Sequence, residues 1–566
     1  MSQRPAFNVR GLETHTRHMW EWEHVKRMLE FASAYDLNTL VFHQNDLLDQ
    51  LACPEGYLPR DMMKEEFPVY LWGIENNCDY IRKVAENARE RGIGFFLEVK
   101  ELWFRTYLLL NYPELLKNGT LCPNDDFWWG YLQDKVQTLL QNIPELSGII
   151  VSFASKESRL TIVRSKCQCE KCRQTSANEW YQKVISNMHE PIKAAGKKLV
   201  IRDFVWSPTD LDNVVTAVEN APKDVIISLK NTPHDYYPNF PHNPRIGNVG
   251  DHEQWIEYDV WGQFYGLGVF PCILLEDIKR RMEYVLSKGA EGFIARTDWE
   301  IISEGTALDS VNMLNLYGTS MLSKDLNTNF NNIYKEWLQN PVSTSFSSSD
   351  LPSYRGVKNS NGVNIDKLRS IFQETWPVIE HGIFVNGFVF HDFSTFPRDL
   401  ETAWWMMVKN QSLADWDPSK KDGLDLTSEN VKKLIAEKEE ARQKVEFLYR
   451  KLLEDHNNMG LNPEFYMDLL KTFAMYVLYI EGFYHAAKSC ILTKYYLKEK
   501  TASVEKQAKE AVTDLAVYAQ KLRKQVSRSQ LHHYVYMLLD PLRVENLAGD
   551  LKTKLEMNGN KKKIED

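Results

Sequence analysis

Ser147-Gly-Ile-Ile-Val-Ser-Phe-Ala-Ser-Lys-Glu157 is the stretch on which the reading of this chain turns. Gly148–Ala154 is a short run of apolar and small residues without polar alternation. That pattern fits a strand buried on both faces, as strands of parallel sheets are. The run leads to a carboxylate, Glu157, and in a closed parallel barrel the carboxyl ends of the strands carry the active-site groups.

Seven further runs of the same kind extend to both sides: Phe7–Glu13, Asn38–His43, Gly92–Val99, Lys198–Trp206, Val225–Lys230, Trp255–Trp261 and Gly292–Thr297. Helical periodicity lies between them at Trp22–Ala34, Asp79–Arg91, Phe127–Gln141, Asn178–Ala194 and Ile278–Lys288. Alternating strand and helix units predict a parallel sheet, and eight of them predict an α/β fold of the (β/α)8 TIM-barrel type over residues 1–340. The alternative, a doubly wound open sheet, would carry a glycine-rich phosphate loop after its first strand, and the sequence has none there.

Residues 341–364 are rich in Ser, Asn, Pro and Gly and predict a linker. From 365 to 553, long helical patterns at Val431–Asp455, Asn462–Tyr496 and Thr501–Ser527 predict an all-α C-terminal domain. The segment 554–566 predicts a disordered tail. Apolar positions such as Phe473, Met475, Tyr476, Leu478 and Tyr479 predict either packing within the chain or a homodimer interface through this domain.

The 566 residues carry a net charge of −9, with 43% hydrophobic and 26% charged residues. This is the balance of an ordinary folded protein and argues against a nucleic-acid-binding surface. No apolar run is long enough for a membrane helix, and the first residues lack the apolar core of a secretory signal. Eight cysteines in so long a chain do not make a disulfide framework, so a cytoplasmic location is the simplest expectation. The 16 Trp and 26 Tyr suit an oligosaccharide substrate, whose C–H faces stack on aromatic rings, as well as a large core.

A glycosidase needs two carboxyl groups flanking the scissile bond. Glu157 follows the fourth run. Asp235 follows the sixth in Lys230-Asn-Thr-Pro-His-Asp235, where Pro233 stops the strand. Glu257 and Asp259 alternate on one face of the seventh together with Trp255 and Trp261, and Asp298 and Glu300 end the eighth. Arg202, Lys230 and Arg296 lie at the same level, where they would bind an acidic sugar or balance the carboxylates. Trp103, Trp206, Trp261 and Trp299 fall near strand ends and suggest a stacking wall.

Over roughly residues 20–340 the chain resembles the catalytic barrel of family 67 glycoside hydrolases, the α-glucuronidases. Ala154-Ser-Lys-Glu157 stands where that family has its general acid. Lys230-Asn-Thr-Pro-His-Asp235 stands where it has a general-base carboxylate, and Arg202 where it has an arginine that binds the uronic carboxylate. The resemblance therefore implies an inverting glycosidase with Glu157 as acid, Asp235 as base and no cofactor. Substrate contacts are implied for Arg202, Lys230, Trp206, Asp259, Trp261, Gln263 and Asp298. The helical C-terminal domain agrees with the family, which dimerises through its own.

The sequence departs from the family at three places. Gln263 replaces a second base carboxylate, Phe153 replaces a carboxylate-binding lysine, and the first strand begins without the family's N-terminal α/β domain. Two further readings follow: a retaining enzyme with Asp259 or Asp298 as nucleophile, and a barrel that binds sugar without turning it over.

Cys167-Gln-Cys-Glu-Lys-Cys172 follows Glu157 by ten residues. Its three thiols match three ligands of a tetrahedral zinc, but neither a second cysteine pair nor a nearby His-x3-His supplies a fourth, and no metal is assigned from the sequence.

Overall fold

A computed structural model describes residues 5–153, 157–163, 165–204, 208–302, 305–339, 362–410, 412–455, 458–528 and 533–565. Eight parallel strands close a barrel: β1 Val9–Thr14, β2 Thr39–His43, β3 Gly94–Lys100, β4 Gly148–Ser152, β5 Lys198–Arg202, β6 Ile226–Lys230, β7 Gln254–Asp259 and β8 Gly292–Arg296. The eighth strand closes on the first, with Val9 opposite Gly292 and Glu13 opposite Arg296. All eight runs read from the sequence are strands, with their ends shifted by a few residues. The glycine that opens β4 is required by close approach: a Cβ on Gly148 would lie 2.3 Å from the carbonyl oxygen of Lys198.

The helices that cover the barrel are α1 Trp22–Ala34, α2 Pro68–Glu90, α3 Phe127–Asn142, α4 Ala177–Ala194, α5 Pro208–Glu219, α6 Leu275–Ser287 and α7 Met313–Lys324. Helix α4 starts on a capping box, in which the Ser176 hydroxyl accepts from the Glu179 amide while the Glu179 carboxylate accepts from the Ser176 amide. Residues 231–253 cross from β6 to β7 without a helix, which leaves a long loop at the carboxyl end of β6.

Period-2 alternation fills the barrel interior in layers. Val41, Phe96, Ile150, Val200, Ile226, Trp255 and Ile294 form one apolar cluster with Val9 packed against it, one residue from each strand. One pleat nearer the carboxyl ends, the same faces carry His43, Glu98, Ser152, Arg202, Ser228, Glu257 and Arg296. A polar layer thus sits directly on the apolar one and forms the floor of the barrel mouth.

The helical C-terminal region is built from α8 Ser428–Glu454, α9 Pro463–Glu499, α10 Ala502–Val526 and α11 Pro541–Glu565, with shorter helices such as Thr375–Ile383. Helix α11 continues through most of the stretch 554–566 that composition marks as a tail. The linker reading of 341–364 falls largely outside the described residues. Phe473, Tyr476 and Tyr479 are fully buried within the chain, and Phe270 of the barrel stacks on Tyr476 and Tyr479 at 5.2 and 4.5 Å. Those rings therefore join the two parts of one molecule. Among the described residues, no helix is long and apolar enough to cross a membrane.

Candidate active site

Arg202 is the centre of the polar floor. Its Nε donates to both carboxylate oxygens of Glu257 at 3.0 and 2.9 Å, its Nη1 lies 2.9 Å from Glu98, and its Nη2 donates to the Tyr236 hydroxyl at 2.7 Å. Ser228 and Tyr236 donate to Glu257 at 2.6 and 2.5 Å. Burial works to raise Glu257, but the Arg202 guanidinium and these two hydroxyls hold it well below its ordinary value. Glu98 is pushed up by burial, which Arg202 only partly offsets. Glu13 is raised by burial and by the charge of Glu98. His43 bridges them, 2.9 Å from Glu13 and 3.2 Å from Glu98, and stacks on His15 at 3.6 Å. Burial and the surrounding Arg and Lys charges lower both histidines and keep them neutral.

Three strand-end carboxylates rise above this floor and keep access to solvent: the side chains of Glu157, Asp235 and Glu300 are 32%, 22% and 44% exposed. Lys100, at the end of β3, lies 3.0 Å from Glu157, and Lys230, at the end of β6, lies 2.8 Å from Asp235. Both ammonium groups lie over the ring of Phe204, 4.5 and 4.3 Å from its centroid, so the two ion pairs share one aromatic ring.

Asp235 holds a left-handed backbone conformation, φ +47°, which is uncommon outside glycine and concentrates at functional sites. Burial raises its carboxyl, but Lys230 brings it below the ordinary aspartate value, so it is ionised at neutral pH. Beside it is a cavity of about 20 Å3, whose lining includes Asp203, Lys230, His234 and Asp235 and which has room for one water. Asp203 is pushed up to about 7, by burial first and then by the charge of Glu257. Glu300 lies 3.1 Å from His15 and 3.6 Å from Arg296; burial raises it and the charge of Glu157 adds to the rise.

The other residues singled out from the sequence are placed differently. Arg202 has its donors turned to the barrel's own groups, so a substrate carboxylate would have to displace Glu98 or Glu257 to reach it. Asp259 accepts from the backbone amides of Trp261, Gly262 and Gln263 at 2.9, 3.1 and 2.8 Å. Asp298 accepts from the Thr14 and Thr16 hydroxyls and the His15 amide at 2.8, 2.7 and 2.6 Å. Both are buried, and these hydrogen bonds anchor the loops after β7 and β1.

Gln263 is also buried. Its side-chain oxygen accepts from Arg296, and its backbone carbonyl accepts from the Ser394 hydroxyl at 3.0 Å. Trp261 is buried against Gly268, so it does not form a stacking wall. Trp206 lies outside the described residues.

Several groups at the mouth were not found from the sequence. Lys100, His15, His43 and Phe204 sit inside or just beyond runs that read only as buried strand ends. Phe393 comes from the helical region: its partly exposed ring stacks on Trp299 at 5.0 Å, and it shares a left-handed turn with Ser394, φ +47° and +63°. A second opening, of about 320 Å3, lies on the Glu157 side between Tyr70, Trp103, Phe104, Arg105 and Arg159. Arg159 holds that wall by donating to the Phe104 carbonyl at 2.7 Å.

No protein-family model and no curated protein matches the chain. Among solved structures, it superposes on a GH138 enzyme targeting pectin rhamnogalacturonan II with a TM-score of 0.61 and 12% sequence identity, over 94% of this chain and 63% of that one. The fold is shared with a glycoside hydrolase. The chain spans 63% of that enzyme's length. An O-GlcNAc hydrolase mutant from Thermobaculum terrenum aligns over 98% of this chain and 97% of its own, with a TM-score of 0.42 and 13% identity.

Proposed function

We propose that this protein is a glycoside hydrolase acting on an acidic oligosaccharide, with Glu157 as general acid and Asp235 as general base. The observation that carries the reading is the pair of partly open carboxylates beyond the ends of β4 and β6, each paired with a buried lysine that lies over the ring of Phe204. The remaining carboxylates of this floor, Glu13, Glu98, Glu257, Asp259 and Asp298, are buried and spent on internal partners.

In the reaction, Asp235 takes a proton from a water that attacks the anomeric carbon. The C–O bond to the leaving group breaks as Glu157 delivers its proton to the leaving oxygen, and the configuration inverts. The Lys100 ammonium beside Glu157 supports an acidic sugar, as the resemblance to α-glucuronidases does. Arg296 supports it too, since its Nε is buried and has no partner among the described residues. The opening beside Trp103 and Arg159 is suited to the leaving-group sugars, and Phe204 and Phe393 to stacking.

Incubation with matched acidic and neutral oligosaccharides, with the anomeric configuration of the first-formed product followed by NMR, tests this reading. Hydrolysis of the acidic series with inversion is expected; retention, or preference for the neutral series, would overturn it. A competing reading gives the acid role to Glu300, whose carboxyl is already raised. If it holds, Glu300→Gln would remove the basic limb of the pH–rate profile and Glu157→Gln would not.

A further inference from the structure

The fourth thiol that the cysteine spacing does not supply comes from a distant part of the chain. Leu116–Lys117 and Thr120–Leu121 pair as a two-residue ribbon, turned through Asn118 and Gly119 at φ +50° and +73°, and deliver Cys122 to the loop that follows β4. The Sγ atoms of Cys122, Cys167, Cys169 and Cys172 all lie within 4.8 Å of one another, with Cys122 3.8 Å from Cys169 and 3.6 Å from Cys172. A disulfide would bring two sulfurs to about 2.05 Å. A tetrahedron with metal–sulfur bonds of about 2.3 Å has edges of about 3.8 Å, the spacing found here.

We propose that these four cysteines bind one Zn2+ as a structural site that fastens the β3–α3 excursion to the loop carrying Glu157. Four thiolates leave no open coordination position, so the metal takes no part in the chemistry. The surroundings fit an anionic cluster. The Cys172 amide donates to Cys169 Sγ at 3.4 Å and the Asn124 side-chain amide to Cys172 Sγ at 3.3 Å, while the Lys117 and Lys183 ammonium groups lie within electrostatic reach of the thiols. Hydrogen bonds of this kind to metal-bound sulfur orient the ligands.

The same two excursions are already tied by Arg159 to Phe104 and Thr106. Closing them a second time through metal fixes the segment between Glu157 and Cys167 at both ends.

The test uses the full chain purified under reducing conditions without chelator. Elemental analysis should find one zinc per chain, and X-ray absorption should show four sulfur neighbours at about 2.3 Å. Cys122→Ser, chosen because it is remote from the Cys-x-Cys-x2-Cys segment, should lower retained zinc at least tenfold. Cobalt loading of the unaltered protein provides a measurement independent of whether that variant folds, and should give sulfur-to-metal charge-transfer absorption. Substoichiometric zinc together with four freely reacting thiols, or zinc content unaffected by Cys122→Ser, would overturn the proposal. None of these readings uses hydrolysis, so they are separate from the fate of the glycosidase reading.

Discussion

Removing the Arg202 guanidinium should cost the fold about 3–5 kcal/mol, the usual penalty for taking one partner out of a buried ion network. Methionine keeps most of the aliphatic stem, so Arg202→Met isolates the charge from the packing. The variant leaves Glu98 and Glu257 buried near one another with no cation between them, and Tyr236 and Ser228 as the remaining donors to Glu257. The pH dependence has a definite sign. In the unaltered protein Glu257 lies below its ordinary value of 4.5, so its contribution is present above that pH and is lost on acidification. Without Arg202 it should rise above 4.5, so the variant's deficit is largest at neutral pH and shrinks as pH falls from the raised value towards 4.5. Urea unfolding at pH 7 and pH 5, followed by tryptophan fluorescence, reads both effects. The triple variant Glu98→Gln, Arg202→Met, Glu257→Gln should recover at least half of the loss, because no buried charge is left unpaired. A deficit below about 1 kcal/mol at pH 7, or a triple variant as unstable as the single one, would refute the reasoning.

Asp203 stands near 7 against an ordinary 3.8, so the stability it contributes is complete below about pH 4 and is lost as pH rises through 7. The unfolding temperature should therefore fall between pH 5 and 8, and Asp203→Asn should flatten that slope; parallel slopes for the two proteins would contradict this. Asp259→Asn and Asp298→Asn should each cost about 1.5–3 kcal/mol through loop anchoring while leaving turnover within about tenfold, and no glycosyl-enzyme adduct should form on either residue. Finding such an adduct by mass spectrometry would restore the retaining reading. Phe393→Ala should raise KM by about two- to tenfold, equivalent to about 0.5–1.5 kcal/mol of aromatic contact, with kcat nearly unchanged. An unchanged KM would remove the ring from the binding surface.

The barrel was legible because parallel strands are buried on both faces and so appear as unbroken Val-, Ile- and Phe-rich runs, while the amphipathic helices between them keep a different period. The alternation of Glu257 and Asp259 on one strand face was legible for the same reason. What these carboxylates do was not, since a carboxylate's role depends on which donors the closed barrel brings to it. Glu257 meets Arg202 across 55 residues of chain, and Asp298 caps a loop 282–284 residues earlier. Asp259 is a partial exception, because its anchors are the amides of the next few residues and an aspartate before Trp-Gly-Gln is open to a local-turn reading. Cys122 lies 47 and 50 residues before the sulfurs it meets, too far for a spacing motif. Phe393 and Ser394 reach the mouth from the other half of the molecule, which no barrel-only pattern contains.

The central claim is that Glu157 delivers the proton to the leaving oxygen. It is tested most directly by kcat of Glu157→Gln on an acidic oligosaccharide and on the matching glycoside with an activated aryl leaving group. On the natural leaving group, kcat should fall by about 10²–10⁴, the usual worth of general acid catalysis, and much less on the activated one, which departs without a proton. Turnover close to that of the unaltered enzyme on the oligosaccharide, or equal losses on both substrates, would contradict the account.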